Sequence, residues 1–150
     1  MDRRAPVFKY RLASLLKLDQ WEGGLLGVEL RRARHLLEEK QRLQREIDQR
    51  IGDAQAAMRD LHRDDAHIPL EKRRVLAAYL DEQYAVAATR SADLKRAEQL
   101  FEQIMAQRVA KQKRIRALEN HREREQEQHD TEQERAGQRA ADELWLITRR

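Results

Sequence analysis

A chain of 150 residues with 31 basic and 27 acidic side chains, and only 5% Phe, Trp and Tyr, has room for one domain but too few large apolar side chains for a compact globule. Five glycines and two prolines argue against a sandwich of short strands, and the lack of cysteine excludes a disulfide framework, a cysteine metal site and a cysteine nucleophile. The net charge of +4 comes from interleaved charges of both signs, which keep helices soluble and are weak evidence for nucleic acid.

The chain opens with MDRRAPVFKYRLASLL, basic but without a continuous apolar stretch, so it does not read as a secretory signal. No run approaches the 18 consecutive apolar residues of a membrane span. From about residue 11 to 62, apolar residues recur at alternating steps of three and four: Leu12, Leu16, Leu26, Leu30, Ala33, Leu37, Leu43, Ile47, Ala54, Met58 and Leu61. That is the stripe of a coiled-coil helix. Leu43, Ile47 and Ile51 step by four and four, a stutter expected to unwind a supercoil locally. WEGGLLG, residues 21–27, lacks the Lys and Ser/Thr of a phosphate loop and follows no strand. Gly23, Gly24 and Gly27 each cost a helix up to about 1 kcal/mol against alanine. They mark either a flexible place in helix one, the favoured reading, or a close approach by another backbone.

HRDDAHIP, residues 62–69, interrupts the helical pattern. Asp64 and Asp65 suit a turn, and Pro69 suits the first turn of a new helix. His62, Asp64, Asp65 and His67 match no standard metal-ligand spacing and read as turn chemistry. The turn is placed at about 63–69, with Leu61, Ile68 and Leu70 closing the end of the hairpin by apolar contact.

Helix two is expected over about 70–143, with its stripe at Leu76, Leu80, Tyr84, Ala87, Ser91, Leu94, Ala97, Phe101, Ile104, Arg108, Lys111, Ile115 and Leu118. In an antiparallel hairpin, facing residue numbers share a constant sum. Taking Leu61 opposite Leu70 also pairs Ala54 with Ala77, Ile47 with Tyr84, Leu37 with Leu94, Leu30 with Phe101 and Leu16 with Ile115. The sequence therefore predicts a single all-α domain, an antiparallel two-helix coiled-coil hairpin with a longer second helix overhanging at the C-terminus. No partner within the chain is expected beyond about residue 121, so the polar stretch that follows should be solvated. LWLITRR then sets Leu144, Trp145, Leu146 and Ile147 at the end of a polar tail, which suggests docking.

RVAKQKRIR, residues 108–116, is the most basic stretch, but it lacks the interleaved aromatics of a nucleic-acid surface and reads as a solvated face. No Ser, His and acid arrangement suggests catalysis, and a hairpin offers no enclosed pocket, so neither an enzyme nor a cofactor is expected. Off-stripe apolar residues are more telling. Tyr79 is the leading case, with Trp21 and Val28 weaker.

The opening FKYRLASLLKLDQWEGG, the turn near residue 65 before a longer second helix, and the ending QRAADELWLITRR with Asp142 and Glu143 together resemble the FliJ family, the small coiled-coil component of the flagellar type III export apparatus. The chain departs from that pattern at Gly23, Gly24 and Gly27, where the family usually has helix-forming Glu and Ala. The resemblance implies a hairpin similar to the rotor-stalk subunit of rotary ATPases. It also implies partners: the export ATPase ring, the cytoplasmic domain of the export gate, and export chaperones. The location implied is the cytoplasm, peripheral to the inner membrane through the gate. Leu76, Tyr79 and Leu80 would then face the gate, and Leu12, Leu15, Leu16, Asp142, Glu143 and Trp145 the ATPase. Other readings are the equivalent stalk of an injectisome secretion system, a basic coiled-coil protein that binds nucleic acid, and a structural homodimer.

Overall fold

The computed structural model describes residues 7–63 and 70–149. Two helices, α1 (Ala13–Arg63, 51 residues) and α2 (Leu70–Thr148, 79 residues), pack against each other as an all-α hairpin, the second longer than the first. α2 runs on past the end expected near residue 143. Among the described residues there is no strand, and no helix is long and apolar enough to cross a membrane. Of the expected turn, residues 64–69 lie outside the described residues, and with them Asp64, Asp65, His67, Ile68 and Pro69. Leu61 is half-buried, but Leu70, expected to close against it, is 70% exposed.

The chain divides into two compact units, Gly27–Ala106 and Met1–Leu26 with Gln107–Arg150. In the first, the inward positions of α1 are Leu30, Ala33, Leu37, Lys40, Gln44, Ile47, Ile51, Ala54, Met58 and Leu61. They alternate steps of three and four without a break. Lys40 and Gln44 fill the place where a stutter was expected, with Leu43 half-buried beside them. On α2 the inward positions are Leu76, Leu80, Gln83, Ala87, Arg90, Leu94, Ala97, Phe101 and Ile104. This corrects the expected stripe at two points. Tyr84 is 47% exposed and Ser91 is exposed, while Gln83 is 8% exposed and Arg90 half-buried in their stead. Tyr84, expected opposite Ile47, stands at the flank, where its hydroxyl accepts a 2.7 Å hydrogen bond from Gln55 Nε2. The reason is periodic: a strict seven-residue repeat from Leu76 to Ala97 and Ile104 passes through 83 and 90 whatever their polarity. Arg90 meets the cost by donating from Nη1 to the Leu43 carbonyl at 2.7 Å. Ile47, with no exposure at all, sits at the middle of this unit's core.

In the other unit the inward positions are Leu12, Leu16, Asp19, Gly23 and Leu26 on α1, and Arg108, Lys111, Ile115 and Leu118 on α2. Residues 7–10 precede α1 without being helical, and the chain enters the helix through a turn closed by Ala13 N–H on the Tyr10 carbonyl at 3.2 Å. Tyr10 is 9% exposed, and its hydroxyl lies 3.1 Å from both the Leu118 carbonyl and His121 Nδ1. Phe8 stacks at a tilt on His129, ring centres 5.6 Å apart, and Arg11 lies 4.0 Å from Glu125. Contact along α2 therefore continues to residue 129, not 121 as expected. A non-helical chain advances about 3.3 Å per residue against 1.5 Å for a helix, so a few residues ahead of α1 reach several further along α2.

Candidate functional site

The feature of the Met1–Leu26 and Gln107–Arg150 unit that departs furthest from an apolar seam is a charged cluster. Leu16 is followed three residues later by Asp19, so the helical repeat carries that carboxylate inward, where it is 2% exposed. Lys111 Nζ donates to Asp19 Oδ1 at 3.0 Å and to Glu22 Oε2 at 2.5 Å. Arg114 Nε lies 2.8 Å from Asp19 Oδ2, an ion pair by distance whose N–H is not aligned as a hydrogen bond. Acceptance by Glu22, and next by Asp19, holds the Lys111 ammonium above the ordinary lysine value of 10.5, against a smaller opposing effect of burial.

Gly23 belongs to the same construction. A Cβ there would stand 3.3 Å from Ile115 Cδ1 and 3.7 Å from Lys111 Cγ. Glycine thus leaves the space through which the lysine stem crosses to the acids. What comes close to Gly23 is the side chains of Ile115 and Lys111, not another backbone. At Gly24 and Gly27 a Cβ would meet nothing within 4 Å, and no glycine among the described residues has a positive φ. The cluster ties α1 to α2 through both acids and the lysine, with Asp19 Oδ2 facing the Arg114 charge without a hydrogen bond.

The residues expected to meet partners are not gathered in one place. Leu16 is 4% exposed and Leu12 and Leu15 are half-buried, so these three serve packing near Leu118. Asp142 and Glu143 are exposed and Trp145 is 55% exposed. They lie about 36 Å further along α2 at 1.5 Å per residue. Leu144, Leu146 and Ile147 are 64%, 62% and 71% exposed. Because successive residues turn by about 100°, these four side chains surround the helix instead of lining one face. The Arg149 guanidinium stands 4.5 Å above the Trp145 ring, and Thr148 Oγ1 donates to the Leu144 carbonyl at 3.0 Å.

In the Gly27–Ala106 unit, Leu76 and Leu80 are half-buried on the seam, whereas Tyr79 is 39% exposed and Val75 67% exposed. Glu71, Lys72, Val75, Leu76 and Tyr79 line a shallow open groove. Trp21 and Val28 are also exposed. No family model, curated protein or solved structure matches this chain. Asp19, Glu22, Arg114 and Val75 were not singled out from the sequence pattern, which places Lys111 on the stripe but not its acidic partners. The signal for Asp19 was a gap, since strictly alternating steps of three and four from Leu16 to Leu26 fall on Asp19 and Gly23. His62 Nδ1 lies 2.7 Å from the Met58 carbonyl, while Asp64, Asp65 and His67 lie outside the described residues.

Proposed function

We propose that this chain is a non-enzymatic stalk and chaperone-escort component of a flagellar type III export apparatus, associated with the export ATPase ring and the export gate. The observation that supports this reading best is the end of α2, where Leu144, Trp145, Leu146 and Ile147 stand uncovered after a run of exposed polar residues. Four large apolar side chains spread around a helix need a partner that covers more than one side, as the wall of a ring can. The resemblance of FKYRLASLL at the start and ADELWLITRR at the end to the FliJ family supplies the identity of that partner.

On this reading residues 142–147 dock on the ATPase, and Tyr79 with the edges of Leu76 and Leu80 contacts the gate. Leu12, Leu15 and Leu16 act at one remove, by seating the start of α1 on α2. The protein works in the cytoplasm and meets the membrane only through the gate.

The test is ATP hydrolysis and ring assembly by the flagellar export ATPase of the same organism, with the full chain and with a variant ending at residue 139. Stimulation by the full chain that the shortened variant lacks is the expected result. Unchanged turnover and assembly with the full chain, both proteins being folded by circular dichroism, would overturn the proposal. Tyr79→Ala should leave helicity unchanged and weaken gate binding about tenfold, measured by calorimetry against the gate's cytoplasmic domain.

A further inference from the structure

Beside the seam of the Gly27–Ala106 unit, α2 carries a second strip: Lys72, Val75, Tyr79 and Glu82, at steps of three, four and three. It lies about 100° around the helix from Leu76, Leu80 and Gln83, and all four side chains are exposed. Its two apolar members are among the exposed large side chains of the chain, and they border the open groove described above.

The charges at its ends are without local partners. Three and four residues from Lys72 stand Ile68, Pro69, Val75 and Leu76, and from Glu82 stand Ala78, Tyr79, Ala85 and Val86. None of these can form the i,i+3 or i,i+4 ion pair common on helix surfaces. Among the described residues neither Lys72 nor Glu82 makes a salt bridge.

Reversed end for end, the strip becomes its own complement. A two-fold axis passing midway between Val75 and Tyr79 sets Lys72 of one copy against Glu82 of the other, and Val75 against Tyr79. Self-complementarity under a two-fold rotation is what an isologous interface requires. We propose that this face binds a second copy of the chain, α2 against α2 and antiparallel, through two Val75–Tyr79 contacts flanked by two Lys72–Glu82 ion pairs.

The strip spans about three turns, so the dimer is weak, with a dissociation constant on the order of 0.1–1 mM. It does not rest on the export reading. Because both use Tyr79, a chain paired in this way could not present that residue to a gate, and self-association would hold free protein away from that partner.

The test is sedimentation equilibrium of the full chain from micromolar to millimolar concentration at low ionic strength, with circular dichroism on every variant. The expected result is a monomer–dimer equilibrium weakened by added salt. Lys72→Glu alone and Glu82→Lys alone should each raise the dissociation constant roughly tenfold, since each introduces two like-charge pairs. The double reversal should return it to within about threefold of the parent. Tyr79→Ser, at an exposed position, should weaken the dimer at least about tenfold with helicity unchanged. A chain that stays monomeric throughout would overturn the proposal and leave the face to a different partner. So would a dimer indifferent to Lys72→Glu and Tyr79→Ser, or a double reversal no better than the single ones.

Discussion

At Asp19 a carboxylate occupies a place in the seam where a leucine would add more apolar burial. Its retention depends on Lys111 and Arg114 reaching it, because a buried charge that loses its partner is strongly destabilising. Lys111→Met should therefore lower the melting temperature, while Asp19→Leu combined with Lys111→Leu should recover it or exceed it. Thermal unfolding followed at 222 nm separates the two. The raised Lys111 value sets the sign of the pH dependence. A cation bound more tightly in the folded state contributes stability that is fully present below 10.5 and is lost as pH rises through the higher folded value. Stability of the parent should fall in that alkaline window, and Lys111→Met should flatten the fall. Ile47, wholly enclosed, is the apolar counterpart. Ile47→Ala should cost about 2–4 kcal/mol in urea unfolding, from lost transfer energy plus the cavity left behind.

At the scale of the helices, the fold was legible because a stripe at steps of three and four is visible wherever leucine, isoleucine and alanine supply it. It faded where polar residues took the same positions. Tyr84 and Ser91 looked like better seam residues than Gln83 and Arg90, and only the unbroken seven-residue repeat could have ranked them otherwise. The docking of residues 7–10 was not legible either, since helical periodicity carries no information about a segment that is not helical. Among the candidate sites, the exposure of residues 144–147 and of Tyr79 could be inferred from their place off the stripe. Val75 lies off the stripe beside Leu76 as Tyr79 does beside Leu80, so the same reasoning reaches it. The glycines of α1 follow the same division between what a helix costs locally and what its neighbours demand. Gly24→Ala should stabilise the protein by about 0.5–1 kcal/mol, its Cβ meeting nothing. Gly23→Ala should gain less or lose, because Ile115 must give way. Along α2, residues 134–148 are exposed throughout, so their amides should exchange fastest of that helix by hydrogen-exchange mass spectrometry.

For the molecule as a whole, the polar members of the seam decide something that the apolar ones leave open. A seam of leucine and alanine at every third or fourth place is nearly the same after one helix slides by seven residues, so apolar contact alone would tolerate several alignments of similar energy. Asp19 against Lys111 and Arg114, and Arg90 against the Leu43 carbonyl, work like the marks on a vernier: only one alignment brings them into coincidence, and each slip strands a charge. The Asp19→Leu and Lys111→Leu pair that gains melting temperature should accordingly lose uniqueness, giving doubled amide resonances for residues near positions 16 and 115 where the parent gives single ones. The few charges inside this seam hold the helices to one alignment, at the expense of some of the stability a wholly apolar seam would have.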